Sequence, residues 1–381
     1  MTSLLETIRS RRIVLCAGPG GVGKTTTSAS LGLAAARAGR RVCVLTIDPA
    51  RRLADALGVE LGNEPRAVDI GPLVDSGVTV KGELHALMLD PQETLHNLIR
   101  SNAPNADVAD RVFENVIFKQ LSGAMAGTLE YTAIEKLYDL YTNYDFDLIV
   151  VDTPPSKNVL DFLEAPEYVA RFLEESIFKW FVILDPGQPA SSFAGGLVKR
   201  TGKLIWDVLG KTLGEDFVDE LGKFLRAMEF LAAEFRRRAV LLGKLLRSKE
   251  TLAMVVATTD RFVLEDASFL CSEVQKRKIP FGGFVVNRTQ IAPGISDLDA
   301  ATASILEAAG DDPAAHELVD ELKTIFDERV LKIEREASAL EQLRTKSRWR
   351  GMLTKLPLQN EEIHDLMGLN RLAIFLGAPR S

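Results

Sequence analysis

Residues 17–27 read Ala-Gly-Pro-Gly-Gly-Val-Gly-Lys-Thr-Thr-Thr, and this stretch decides the fold of the chain. Gly18, Gly20 and Gly23 match G-x-G-x-x-G, the pattern of dinucleotide-binding folds. Gly18 and Gly23, with the Lys-Thr pair that follows, also match G-x-x-x-x-G-K-S/T, the phosphate-binding loop of nucleoside triphosphatases. Lys24 and Thr25 favour the second pattern, because a triphosphate with its magnesium needs an ammonium group and a hydroxyl, whereas a pyrophosphate needs neither.

The residues on either side of this loop predict a strand before it and a helix after it. Residues 12–17 form an apolar run typical of buried parallel strands, and residues 26–38 are mostly small residues that end before Gly39. Glycines lack a Cβ, so consecutive backbone N–H groups can point at phosphate oxygens. We therefore expect an anion site at the helix N-terminus. Its residues are Gly18, Gly20, Gly21, Val22, Gly23, Lys24, Thr25 and Thr26.

Two carboxylates follow predicted buried strands. Residues 41–48 end in Asp48, and Pro49 keeps Asp48 out of the helical conformation. A carboxylate at this position suits orienting a water molecule in phosphoryl transfer. A cap for the helix that follows, or a contact to the ribose of a dinucleotide, is the alternative. Residues 147–152 end in Asp152, the Walker B arrangement, which predicts a carboxylate near magnesium.

The alternation of strands and helices divides the chain into three predicted parts. Residues 1–161 form the first part of a P-loop α/β core, with a helical segment at about 92–143. Residues 162–250 interrupt the alternation and predict a helical insertion subdomain, and residues 251–381 complete the core. The predicted fold class is therefore α/β, a mainly parallel sheet flanked by helices, with an α-helical insertion.

The predicted insertion is rich in large apolar side chains. One long helix is expected from Glu215 to Leu246, with its apolar residues on one face. These side chains could bind an apolar partner segment, or they could form the insertion's own core. The candidates are Phe178, Trp180, Phe181, Trp206, Phe224, Met228 and Phe235.

The composition is typical of a globular protein and argues against nucleic-acid-binding and membrane-spanning classes. The chain has 381 residues, 46% of them hydrophobic and 26% charged, which is ordinary for a globular protein. A net charge of −7 argues against a nucleic-acid partner. The N-terminus lacks a signal-peptide layout and no apolar run reaches the ~18 residues of a membrane span, so we expect a cytoplasmic protein. The cysteines Cys16, Cys43 and Cys271 are scattered, which favours buried, inert thiols.

With these motifs in order, the chain resembles the arsenical pump-driving ATPase family. That family belongs to the deviant Walker A dimeric ATPases, and its eukaryotic branch targets tail-anchored membrane proteins. Its phosphate loop matches residues 18–26, and its first switch matches residues 48–50 with the later Asp55. Its second switch, Asp-Thr-x-Pro, matches residues 152–155. The similarity extends over nearly the whole chain.

The resemblance implies ATP and Mg²⁺ as cofactors and a role for each matched residue. It implies that Lys24 and Thr25 bind phosphate and metal, that Asp48 orients the attacking water, and that Asp152 supports the metal through water. The family's adenine-contacting asparagine matches Asn287. Its proline-containing adenine loop resembles residues 356–358, in which Pro357 is the proline.

The chain departs from the family pattern in two places. The family's signature lysine, which reaches across the dimer to the partner's phosphates, falls at Pro19, which has no charge. Arg51 and Arg52 are the nearest candidates for a replacement cation, and a solvated helix start is the alternative role for them. The cysteine pair that joins the targeting ATPases through zinc, and the cysteine triad that senses arsenite, have no counterpart among the three cysteines.

We therefore expect a magnesium-dependent ATPase whose nucleotide state opens and closes a homodimer and a helical client-binding surface. One alternative is the energising subunit of an anion or metalloid efflux system, with a membrane partner. Another is a slow, nucleotide-gated assembly factor. A groove of exposed Phe, Trp and Leu side chains would favour a hydrophobic client protein, whereas a site of soft ligands would favour efflux.

Overall fold

The computed structural model of the protein describes residues 3–48, 50–116, 118–119, 129–174, 210–212, 214–292, 298–309 and 312–377. The strands in these ranges are β1 (Ile13–Ala17), β2 (Arg41–Thr46), β3 (Arg66–Ala67), β4 (Glu83–Met88), β5 (Leu148–Asp152), β6 (Thr251–Ala257), β7 (Phe281–Thr289) and β8 (Met352–Pro357). The helices are α1 (Leu4–Ile8), α2 (Lys24–Arg37), α3 (Arg52–Leu57), α4 (Gly71–Asp75), α5 (Pro91–Asn102), α6 (Ala106–Glu114), α7 (Leu129–Asn143), α8 (Ser156–Glu174), α9 (Glu215–Leu246), α10 (Arg261–Lys276), α11 (Leu298–Ala309), α12 (Pro313–Ser347) and α13 (Leu366–Gly377).

These strands form one sheet in the order β3-β4-β2-β5-β1-β6-β7-β8. Neighbouring strands run parallel, except that the short β3 pairs antiparallel with β4. Strand β1 lies between β5 and β6, so the glycine loop that follows it opens at the carboxyl edge of the sheet, near its middle. The predicted α/β fold with a mainly parallel sheet is confirmed.

Both faces of the sheet are covered, which explains why the central strands β1, β5 and β6 are buried along their whole length. Ile13 and Leu15 belong to one buried cluster, and Val14 and Cys16 belong to the other, as the alternation of side chains along a strand requires. Helix α2 packs closely on the second face, since a Cβ at Gly32 would lie 2.6 Å from Val44 Cγ2. The sheet and its helices therefore form a rigid frame for the loops at its carboxyl edge.

Parts of the predicted insertion contribute to this same frame. Phe162 on α8 and Leu242 on α9 are fully buried in the cluster that contains Ile13. Helix α9 runs from Glu215 to Leu246, as the sequence predicted. Its C-terminal end packs in the hydrophobic cluster on the face of the sheet that contains Ile13. The division of the chain at residues 161 and 250 stays a prediction.

Of the two roles that the sequence left open for Phe235, the structure supports packing in the core. Phe235 is only 8% exposed and packs in a small cluster with side chains of α5, α6 and α7. Its ring centroid lies 5.8 Å from that of Tyr131, and Phe224 is partly buried against the same cluster. This part of α9 faces its own domain. The other proposed contact residues, Phe178, Trp180, Phe181, Trp206 and the Met228 side chain, lie outside the described residues.

Two helix starts differ from the sequence prediction. Helix α2 begins at Lys24 rather than at residue 26, because the chain turns into the helix at Gly23, which has a φ of +89°. The sequence predicts a final helix from Glu361 to Leu376, but α13 begins at Leu366, because the Asp365 carboxylate accepts the Gly368 N–H at 2.7 Å and caps the helix there. The alternating and apolar positions of residues 78–89 predict a strand, but β4 is shorter and starts at Glu83. Across the described residues, no helix is both long and apolar enough to cross a membrane.

Candidate functional site

The glycine loop after β1 is shaped by close contacts to two neighbouring strands. At Gly18, whose φ is +156°, a Cβ would overlap the carbonyl oxygen of Val256 at the end of β6. At Gly23, a Cβ would overlap the side-chain amide of Asn287 on β7. A side chain at either position would force the loop away from the sheet. These glycines are therefore required by packing as well as by backbone conformation.

Lys24 lies in the first turn of α2 and crosses back over the loop. Its Nζ donates a hydrogen bond of 2.8 Å to the carbonyl oxygen of Pro19, and the residue is only 9% exposed. Burial lowers the pKa of Lys24, while the Asp152 and Asp48 carboxylates act in the opposite direction. The ammonium group is thus held at the mouth of the loop by the loop's own backbone.

Thr25, the next residue of α2, is joined to the carboxylate at the end of β5. Asp152 Oδ2 accepts hydrogen bonds from Thr25 Oγ1 at 2.7 Å and from Thr46 Oγ1 at 3.0 Å. Asp152 Oδ1 has no partner among the described residues, although Asp152 is only 1% exposed. Burial raises the pKa of Asp152 to about 6, against the effect of the two hydroxyl donors. The phosphate loop and the predicted Walker B strand therefore meet at this pair.

Asp48 follows β2 and is held by a local turn. Its Oδ1 accepts the backbone N–H of Ala50 at 3.0 Å. The alternative role of Asp48 as a helix cap is wrong, because the residue before α3 is Arg51 and no side chain caps that helix. Asp48 instead lines the cavity above the glycine loop.

The cavity above the loop has a volume of about 930 Å³. The predicted site residues that line it are Gly20, Gly21, Gly23, Lys24, Thr25, Thr26, Asp48, Asn287 and Pro357. Three others, Gly18, Val22 and Asp152, are buried and do not reach its surface. The structure thus brings every predicted site residue to one place, either in the wall of the cavity or directly behind it.

Asn287 joins the wall formed by β7 and β8 to the phosphate loop. Its Nδ2 donates to the carbonyl oxygen of Val22 at 2.9 Å, and its Oδ1 accepts the N–H of Arg288 at 3.0 Å. Arg288 has a φ of +59°, an uncommon value for a residue with a side chain. Thr289 and Pro357 pair across β7 and β8, which brings Pro357 to the same wall.

Several residues of the site were not predicted from the sequence. Thr46 could have been found, because it is a hydroxyl residue inside the otherwise apolar run 42–47. Arg288, Glu361, Glu362 and His364 line the cavity, and their sequence context carries no comparable signal. The loop before α13 supplies three of them, and its position depends on the packing of α13 on α2.

The cysteines are buried, as predicted. Burial raises the pKa of Cys16 to about 12 and that of Cys271 to about 11, and it raises the pKa of Cys43 further. All three are therefore protonated thiols at neutral pH. In the part of the chain that the structure describes, no three His, Cys, Asp or Glu side chains cluster in a way that could hold a metal ion.

Comparison with known proteins gives the family. Residues 11–304 match the family described as anion-transporting ATPase. The ATPase get3 of Neurospora crassa is 30% identical over 165 residues, which cover 43% of this chain and 46% of that protein. The ATPase get3 of Aspergillus terreus is 31% identical over 166 residues, with coverage of 43% and 46%. In these alignments the chain spans about half the length of the relative.

A longer alignment is found with the ATPase GET3 of Podospora anserina, which is 26% identical over 298 residues. It covers 77% of this chain and 78% of that protein. The resemblance expected from the order of the motifs is therefore confirmed. By the match over residues 11–304, the chain belongs to the anion-transporting ATPase family.

Proposed function

We propose that this protein is a magnesium-dependent ATP hydrolase whose nucleotide state controls a homodimer and a client-binding surface. The observation that carries the proposal is the contact of 2.7 Å between Thr25 Oγ1 and Asp152 Oδ2, directly behind a cavity that Lys24 lines. A lysine, a hydroxyl and a buried carboxylate in this arrangement are what a triphosphate with its metal requires. The names of the relatives as ATPases support the same activity.

The residues fit a hydrated magnesium ion. Thr25 provides a hydroxyl ligand, and the buried Asp152 Oδ1, which has no partner among the described residues, would accept hydrogen bonds from metal-bound water. When bound, Mg²⁺ neutralises charge on the phosphate oxygens. Thr46 holds the other oxygen of Asp152 and so orients the carboxylate.

The chain's own groups bind and orient the triphosphate. The backbone N–H groups of the loop and the Lys24 ammonium bind the phosphate oxygens, at the N-terminus of α2. To do so, Lys24 exchanges its bond to the Pro19 carbonyl for one to phosphate. Asn287 and Pro357, on the wall formed by β7 and β8, contact the adenine.

Asp48 orients the attacking water. Its Oδ1 accepts the Ala50 N–H, which leaves Oδ2 to accept a hydrogen bond from a water molecule in the cavity that Asp48 lines. A charged acceptor held in this way lines the water up with the terminal phosphorus. As the water oxygen bonds to that phosphorus, the bond to the bridging oxygen breaks with its electron pair going to ADP, and the protons of the water end on the phosphate product.

The nucleotide state is coupled to the rest of the molecule through the residues after Asp152. Thr153 Oγ1 donates to the carbonyl oxygen of Cys16 at 2.9 Å, and α8 begins three residues later. A change at the terminal phosphate would therefore shift the start of α8, which leads into the predicted insertion. In this proposal the shift opens and closes a homodimer and an apolar client-binding surface.

The test is steady-state ATP hydrolysis with and without magnesium. We expect turnover that requires Mg²⁺ and falls by roughly 10²–10³-fold in Lys24→Ala, the loss typical of removing one group that stabilises transition-state charge. Lys332→Ala, an exposed lysine on α12 outside the cavity, is the matched control and keeps full turnover. Equal rates in the two variants, or no hydrolysis by the wild-type protein, would contradict the proposal.

A further inference from the structure

Arg52 is the first residue of α3 and lines the cavity together with Lys24 and Asp48. The helix behind it is firmly anchored, since Leu53, Ala56 and Leu57 are buried in the cluster beneath α2. The backbone of Arg52 therefore has a fixed position, and only its side chain is free to reach into the cavity.

The Arg52 guanidinium has no protein partner in the described part of the chain. It makes no hydrogen bond and no ion pair there, even with Asp55, which lines the same cavity one helical turn away. Other arginines near the sheet edges are engaged: Arg41, for example, pairs with Glu83 at 3.0 Å. An exposed guanidinium beside a phosphate loop is available to a ligand anion.

The charge of Arg52 reaches the phosphate loop. The Arg52 guanidinium contributes to lowering the pKa of Lys24, after the larger effect of burial. Both side chains line the same cavity, so both can contact one anionic group that binds in it. Lys24 is the residue of the loop motif that contacts the β- and γ-phosphates, and Arg52 lines the same cavity.

The cavity wall carries more carboxylates than arginine and lysine side chains. Its carboxylates are Asp48, Asp55, Glu361 and Glu362, and its arginines and lysines are Lys24, Arg52 and Arg288. The wall therefore does not attract a triphosphate by its overall charge. Pro19, in the glycine loop, supplies only a carbonyl oxygen, and Lys24 occupies it. Arg288 follows Asn287 on β7 and belongs to the other wall.

We propose that Arg52 is a catalytic residue that binds the terminal phosphate of ATP from within the same chain. This proposal rests on the proposed ATP hydrolase function. Arg52 stabilises the charge that develops on the terminal phosphoryl oxygens while the water oxygen bonds to phosphorus and the bond to ADP breaks. The guanidinium stays protonated throughout and takes no part in proton transfer.

The structure also separates Arg52 from its neighbour. Arg51 is exposed and precedes α3, but it does not line the cavity. The two residues carry the same side chain at adjacent positions, so Arg51→Ala is a matched control for Arg52→Ala. The sequence alone did not distinguish between these two arginines. The geometry of the cavity assigns the phosphate-binding role to Arg52.

The experiment measures equilibrium binding of ATP and of ADP, and ATP turnover, in five proteins: the wild type, Lys24→Ala, Arg52→Ala, Arg52→Lys and Arg51→Ala. We expect Arg52→Ala to weaken ATP binding about tenfold, with little change for ADP, since only ATP has the terminal phosphate. We expect turnover to fall by on the order of 10³-fold, the scale found for an arginine at the transferred phosphoryl group. Arg52→Lys should recover part of both losses, because it keeps the charge without the planar fork.

Any of the following results would overturn the role of Arg52 without touching the ATPase proposal. The first is wild-type ATP binding and turnover in Arg52→Ala while Lys24→Ala loses both. The second is an equal loss of ATP and ADP affinity in Arg52→Ala, or the same defects in Arg51→Ala. If Lys24→Ala also binds and hydrolyses ATP like the wild type, the proposed function itself fails.

Discussion

Replacing Asp48 by Asn tests the role of this carboxylate with a minimal change of shape. Asp48 Oδ1 accepts the Ala50 N–H at 3.0 Å, and an Asn side chain would keep that bond through its own oxygen. Its NH₂ group would then occupy the position of Oδ2, so the water acceptor in the cavity would become a donor. The local turn stays intact, and only the interaction with water is lost.

The expected loss of turnover in Asp48→Asn is the loss typical of removing a positioned acid–base group. Such groups contribute ~10²–10⁴-fold to turnover, which corresponds to ~3–5 kcal/mol of transition-state stabilisation. ATP affinity should stay the same or rise, because the substitution removes a negative charge from the cavity wall beside the triphosphate. Turnover and binding should therefore change independently in this variant, whereas both fall in Lys24→Ala.

The assay combines steady-state ATP hydrolysis with equilibrium titration of ATP. Asp69→Asn is the matched control, since Asp69 Oδ1 accepts the N–H of Gly71 at 2.9 Å in the same two-residue turn, away from the cavity. Asp69→Asn should keep full turnover. Wild-type turnover in Asp48→Asn, with unchanged ATP affinity, would refute the water-orienting role.

Two further predictions concern the helical part and the dimer. Phe235→Ala, at a residue that is 8% exposed, should lower the free energy of unfolding in urea by ~3–5 kcal/mol. Phe217→Ala on the same helix, at a residue that is 42% exposed, should change it by no more than ~0.5 kcal/mol; equal losses would show that Phe235 is not a core residue. Dimerisation should depend on nucleotide and not on zinc, because the three cysteines are buried thiols that cannot form a shared thiolate site. Light scattering with ATP and magnesium, in the presence and absence of a zinc-selective chelator, checks this, and a dimer that the chelator dissolves would contradict it.

The parts of the fold that depend on local pattern could be predicted from the sequence. The Lys24-Thr25 pair identified the glycine loop as a phosphate-binding loop. The predicted first and last residues of the helix from Glu215 to Leu246 agree with the structure. The apolar stripe of the charged stretch after Pro313 likewise predicts a long helix to about Ser347, and the structure has a 35-residue helix at these bounds. Each of these signals lies within one stretch of chain, as a motif or a helical period.

The remaining parts depend on which strands are neighbours. Thr46 and Asp152 are hydrogen bonded because β2 pairs with β5, and strand order is not encoded in any single segment. The choice between Arg51 and Arg52 depends on how α3 rotates its buried residues towards α2. The helical spacing of apolar residues around Phe235 can be recognised in the sequence. This spacing does not determine whether the apolar face packs against the same domain or against a partner.

The central claim is that the cavity between the glycine loop, Asp48 and Asn287 binds ATP with magnesium. Calorimetric titration of ATP in the presence of Mg²⁺ tests it most directly, because binding is measured apart from turnover. The account predicts one site per chain and an affinity at least about tenfold weaker in Lys24→Ala, since that variant loses a charge-assisted bond to phosphate. No binding by the folded wild-type protein, or the same affinity in Lys24→Ala, would contradict it.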